Sequence, residues 1–215
     1  MLQLQRIYLQ SKQSESNFVL FLIKKISYRL KGKNIIAHHL TEIKHIRNID
    51  TNGTVKIGID YFGFSSKTDR TFINVRGKLI FNGNFSIGKG CRFDIGPNAV
   101  VEIGSGGYVS PNTWFILSYG LKIGNGCMIS WNCQFLDDDF HKLEYENQKN
   151  NDNREIKIGN DVWIGCNSFI YKGVSIPNGC VIASNSVVKS SFYEENALIA
   201  GNPAKIIKSN IHWRD

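Results

Sequence analysis

The chain has 215 residues, with 26 Lys or Arg against 18 Asp or Glu, a formal charge of +8 and a pI near 9.2. That length suits one domain with a real core, and the cations are spread along the sequence rather than gathered in a block, which argues against nucleic acid and for phosphate-bearing small molecules or an acidic surface. Five cysteines and no secretory leader argue for a reducing, cytoplasmic setting and against a disulfide framework.

Residues 1–50 read as a basic, helical segment. Its apolar run Phe18 to Ile23, followed by Lys24 and Lys25, is too short to span a bilayer. From Asn17 to Lys33 the pattern fits a basic amphipathic helix. Such a helix either lies on an anionic membrane face or, the preferred reading, packs against the rest of the fold or a partner subunit.

Residues 51–208 are organised by a repeat of six. Aliphatic residues recur at Ile158, Ile164, Ile170, Ile176, Ile182 and Val188, each of the first five followed four places on by a small or β-branched residue: Val162, Ser168, Val174, Cys180, Ser186. The same unit runs upstream through Val75, Phe81, Ile87, Phe93 and Ala99, then Ile103, Val109 and Phe115, then Ile123, Ile129 and Phe135. The register slips between Ala99 and Ile103 and between Phe115 and Ile123, which predicts small loops or bulges there. A period of six is neither the three-to-four spacing of an amphipathic helix nor the alternation of a half-buried strand. It suits a solenoid in which each hexapeptide makes one short strand and a turn, with three closing a triangular coil of roughly 18 residues. Cys91, Cys127, Cys133 and Cys180 fall on the small position and read as core filler, whereas Cys166, two after Ile164, faces outward.

Between Phe135 and Ile158 the repeat is interrupted by an insertion, residues 137–155. It begins Asp137-Asp138-Asp139-Phe140-His141 and includes a stretch without apolar residues, Asn147 to Asn153, expected as a solvated tip. A long loop ejected from a regular solenoid signals function. A histidine titrating near neutrality suits removal of a hydroxyl proton, and Asp137 and Asp139 are near enough in sequence to orient it. A tail, 209–215, follows the repeats. No Gly-rich nucleotide loop, nucleophile elbow or paired-cysteine metal motif is present.

These hexapeptides, with Asp137-x-Asp139-x-His141 in a loop, Ile158-Gly159-Asn160-Asp161-Val162-Trp163-Ile164-Gly165-Cys166 and the Gly201-Asn202-Pro203-Ala204-Lys205 block, resemble the hexapeptide-repeat acyltransferases, in the branch serving bacterial surface polysaccharides. The resemblance implies an all-β fold, a left-handed parallel β-helix with a short helical N-terminal segment and an extruded catalytic loop. The handedness rests on the resemblance, since crossover rules favour right-handed connections. It implies an O-acetyltransferase that moves acetyl from acetyl-CoA to a sugar hydroxyl of capsule or lipopolysaccharide, or a precursor, in a homotrimer without a metal. His141 is then the base, the Cys166 N–H stabilises the oxyanion, and Trp163 walls the acceptor or pantetheine channel. Asn132, Asp137 and Asp139 are substrate-side candidates. Ala183, Ser184, Lys189, Asn202, Pro203 and Lys205 are candidates for holding coenzyme A.

Four rivals stand beside this reading. N-acetylation of an amino-sugar nucleotide is disfavoured because no nucleotide-binding N-terminal domain is recognisable, and serine O-acetylation because its helical domain does not fit in about 50 residues. A β-helix carbonic anhydrase needs three histidines on adjoining coils, and His38, His39, His45 and His212 lie outside the clear repeats. A catalytically silent β-helix for binding or assembly needs neither the His141 loop nor the coenzyme A block.

Overall fold

Residues that recur in the sequence stack directly in space. Ile129 pairs with Ile164 and Ile164 with Ile182, while Phe115 pairs with Phe135 and Phe135 with Ile170. The computed structural model, which describes residues 2–60, 62–141 and 154–214, arranges the strands as three faces of a left-handed parallel β-helix. Among the described residues the first sheet has nine strands, the second seven and the third six, and each coil visits them in that order. All pairings are parallel except a terminal hairpin, Leu198–Gly201 with Ala204–Lys208, which extends the first sheet.

The core is a set of columns. Phe93, Phe115 and Phe135 lie in one of them as a stack, with ring centroids 4.4 and 4.6 Å apart and interplanar angles of 19° and 11°. Cys91, Cys127, Cys133 and Cys180 are buried, and burial pushes the Cys91 and Cys133 thiols up to about 12. Thiols so far from ionisation are inert packing, as their place in the repeat predicts.

Two expectations need correction. The register slips are not loops or bulges: they are strands of four residues with two inward side chains, such as Val101 with Ile103 and Phe115 with Leu117. In the first sheet 35 pairs with 55, 55 with 85, 85 with 107, 108 with 128 and 163 with 181, so these coils take 20, 30, 22, 20 and 18 residues. The helical segment also ends earlier than residue 50. Helices α1 (Leu2–Gln13) and α2 (Phe18–Leu30) give way to a first coil at Ile35–Ala37, Glu42–Lys44 and Ile49–Thr51. Asn17 caps α2 by accepting the Leu20 N–H at 3.1 Å, and Phe21 and Tyr28 are buried against the coils.

The insertion leaves the helix at the corner between the second and third sheets. Asp137, fully buried there, accepts the N–H groups of Ser118 at 2.6 Å, Tyr119 at 2.8 Å and Gly120 at 2.7 Å from the coil above. Burial pushes its carboxyl up, and the three amides pull it back down. Asp137→Asn keeps one acceptor oxygen but turns an NH2 toward at least one of these amides, which then lacks an acceptor. The expected loss is about 2 kcal/mol, read as a lower urea midpoint at unchanged slope; an unchanged midpoint contradicts this role.

His38, in the first coil, is buried, and burial, then His39 and Lys89, lower its pKa to about 4. Because the unfolded histidine titrates near 6.5, the unfolded chain takes up a proton that the folded chain refuses. Stability therefore falls as pH drops from about 6.5 towards 4. Urea midpoints measured across that window are expected to decline less steeply in His38→Gln than in the wild type; equal slopes contradict the assignment.

Candidate active site

The three consecutive aspartates at the loop root are each engaged within the chain. Asp137 holds the amides above it, Asp138 pairs with Arg154 at 3.0 Å, and Asp139 pairs with Lys172. Arg154 also lies over the Tyr119 ring, 5.0 Å from its centroid. These contacts clamp both ends of the insertion to one corner and present His141, exposed, just beyond it. Asp137, expected on the substrate side, is buried with both carboxylate oxygens accepting backbone amides, and Asp139, half exposed, pairs with Lys172. Residues 142–153, including the expected solvated tip Asn147–Asn153, lie outside the described residues.

Cys166 sits at a different corner, where the first sheet turns into the second. Turn residues Asn112, Asn132, Asn167 and Asn185 stack there with φ near +60°, a conformation Asn tolerates because its side chain bonds locally. The N–H of Asn132 donates to Pro111 O, that of Asn167 to Trp131 O and that of Asn185 to Cys166 O. Asn132 is thus first a turn residue, and its exposed side chain lies on this edge. Gly165 is required: a Cβ there would stand 2.6 Å from Ser184 N and 2.8 Å from Ile182 O. Among the described residues the Cys166 N–H forms no hydrogen bond, and its Sγ lies 3.3 Å from Ser184 Oγ.

The same edge continues downward. Half-buried Ala183 and exposed Ser184 follow one coil below Cys166, and Gly201 N–H donates to Ser186 Oγ at 3.2 Å, tying the hairpin that carries Asn202, Pro203 and Lys205 to this corner. Lys189, after Val187–Val188 of the second sheet, lies instead at the His141 corner. Trp163 faces outward from the first sheet, donating Nε1–H to Ser130 Oγ at 3.2 Å, with Trp213 of the tail beside it at 6.1 Å. Trp213 in turn donates to Asp161 O at 2.9 Å.

The two groups of residues lie at different corners of the coil, on either side of the second sheet. Asp139 is held at Lys172, six positions along the coil from Cys166 and across the second sheet, a path of up to ~20 Å of extended chain. His141, two residues further on, reaches about 7 Å from Asp139.

Between the corners the second sheet carries an open groove of about 550 Å3, lined by Arg70, Arg92, Asn112, Trp114, Asn132 and Phe169. Register stacks Arg92, Trp114, Gln134 and Phe169 in one outward column. Arg70 and Arg92 form no ion pair among the described residues, and the overhanging segment before Arg70 packs Phe64 edge-on to Trp131 at 5.4 Å. Sequence reasoning missed this groove, although Arg92, Trp114 and Gln134 each directly precede or follow a core residue and so face outward. Lys172, Arg154 and Trp213 gave no motif signal.

The family model for the bacterial transferase hexapeptide (six repeats) matches residues 155–190. A Klebsiella pneumoniae protein known as an uncharacterized 24.8 kDa protein in the cps region is 39% identical over 206 residues, 94% of this chain and 92% of its own. The putative lipopolysaccharide biosynthesis O-acetyl transferase WbbJ of Escherichia coli K12 is 29% identical over 66% of this chain and 76% of its own. A mutant of AntD, an N-acyltransferase from Bacillus cereus solved with dTDP and coenzyme A, superimposes with a TM-score of 0.56 at 20% identity, covering 86% of this chain and 88% of its own, a likeness of fold alone. With its stacked hexapeptides and a relative of 39% identity along nearly the whole length, the chain belongs to the bacterial hexapeptide-repeat acetyltransferase family.

Proposed function

We propose that this protein moves the acetyl group of acetyl-CoA to a sugar hydroxyl of a bacterial surface glycan, in capsule or lipopolysaccharide, or of its precursor. The site is shared between neighbouring copies of a homotrimer in the cytoplasm. The observation that carries this is the placement of an exposed His141 on a clamped loop at one edge of the second sheet, with the small-residue edge at Cys166 on the other. A cyclic neighbour supplies the missing half to each copy, because a head-to-tail contact joins two different patches. The relative from a cps region and the relative of lipopolysaccharide biosynthesis support the glycan context.

The edge suits coenzyme A. Small residues at Gly165, Ala183 and Ser184 leave room for a pantetheine arm along the backbone, and Lys205 below, with Lys189 from the neighbouring copy, offers charge to the phosphates. The acceptor hydroxyl attacks the thioester carbonyl as His141 takes its proton. The Cys166 N–H faces the oxyanion that forms, the carbon–sulfur bond breaks, and His141 returns the proton to the departing thiolate. In the groove, Trp114 offers a platform for a sugar ring and Arg92 and Arg70 offer charge to an acidic one.

Release of coenzyme A from acetyl-CoA, measured across sugars, nucleotide sugars and capsule oligosaccharides, tests the reading. His141→Ala is expected to lower kcat by about 100- to 10,000-fold with KM for acetyl-CoA nearly unchanged; full turnover in this variant removes His141 as the base. Arg92→Gln with Arg70→Gln is expected to raise KM for a carboxylate-bearing acceptor by about tenfold, in line with loss of a charged hydrogen bond, while kcat holds. An unaltered KM takes the acceptor out of this groove.

A further inference from the structure

Helix α2 has two apolar faces. Successive helical residues are rotated by about 100°, so Phe21 and Tyr28 point one way, into the coils, while Val19, Ile23, Ile26 and Leu30 point the other way. The first pair is 0% and 7% exposed, whereas the outward four are 61%, 56%, 51% and 83% exposed. Leu20 adjoins the outward face. Helix α1 extends the surface: Tyr8 packs edge-on against Phe18 at 5.4 Å, and exposed Leu4 lies one turn before Tyr8. A helix serving only to cover a coil needs one apolar face, with polar residues opposite.

The charge around this surface has one sign. Between Glu15 and Glu42 there is no acidic residue, while Lys24, Lys25, Arg29, Lys31 and Lys33 are present. Lys24 turns inward to Thr41 O at 2.6 Å and Lys33 pairs with Asp50 at 3.3 Å. Arg29 and Lys31 are exposed beside Leu30, and Lys12 sits over the Tyr8 ring at 5.7 Å. Among the described residues no helix is long and apolar enough to cross a membrane.

We propose that the outward face of α2, with the adjoining turns of α1, docks this protein on an anionic lipid bilayer, the helix lying in the plane of the interface. Such a surface receives aliphatic side chains into its acyl boundary and meets Arg29, Lys31 and Lys12 with anionic headgroups. A two-fold contact between copies of this face instead sets Arg29 and Lys31 against their own equivalents, with no acidic residue between Glu15 and Glu42 to offset them.

Co-sedimentation of the full-length protein with vesicles containing phosphatidylglycerol, against vesicles of phosphatidylcholine alone, tests the proposal. Binding is expected to the first and to fall away in high salt. Arg29→Ala and Lys31→Ala are each expected to weaken it by about fivefold, and Ile23→Glu with Leu30→Glu to abolish it, with circular dichroism and oligomeric mass unchanged. Equal partition into both vesicle types, or no partition into either, overturns the proposal. So does an Ile23→Glu, Leu30→Glu variant that falls to a smaller oligomer, which assigns the face to a contact between copies.

Discussion

Every coil must set its inward side chains over those of the coil before it, because parallel strands stack about 4.8 Å apart and leave no room for a misplaced residue. Ile129, Ile164 and Ile182 obey this in one sheet and Phe93, Phe115 and Phe135 in another. The constraint reaches past the core. Once the inward positions are in columns, the corners are in columns too, so Asn132, Asn167 and Asn185 form a straight edge and Cys166 stands over Ser184. A ladder that repeats every coil provides a linear track, which is what an extended cofactor requires.

The same rigidity explains how the insertion is held. A loop leaving a repetitive corner disrupts pairing only at its root, and the three aspartates answer that: Asp137 takes the amides of the coil above, Asp138 reaches Arg154 where the loop returns, and Asp139 reaches Lys172 in the coil below. The histidine is delivered by a scaffold fixed in three directions, so it needs no carboxylate of its own to stay at this corner.

Much of this was legible in the residues. The six-residue period located the inward columns and the buried cysteines, because burial acts on each side chain independently of its distant partners. The lengthening of the N-terminal coils was not, since an extra inward residue such as Leu117 resembles a slip when only the period is read. Nor were the first coil at Ile35, whose strands are three residues each, or the duties of Asp137 and Asp139. A carboxylate near a histidine suggests chemistry in one dimension; whether it meets backbone amides or Lys172 depends on which coil lies above and below. Trp213 illustrates the same limit, since its contact with Trp163 joins residues far apart in sequence.

The proposed catalytic histidine and the proposed cofactor edge lie on opposite sides of one sheet, the arrangement expected if copies share the work. Co-refolding equal amounts of His141→Ala and Cys166→Trp chains, each inactive alone, tests this most directly. If each site takes its histidine from one copy and its edge from the next, random mixing restores about a quarter of wild-type coenzyme A release, since half of the copies supply each intact part. If the mixture stays as inactive as its components, each site lies within one chain and the shared-site account is wrong.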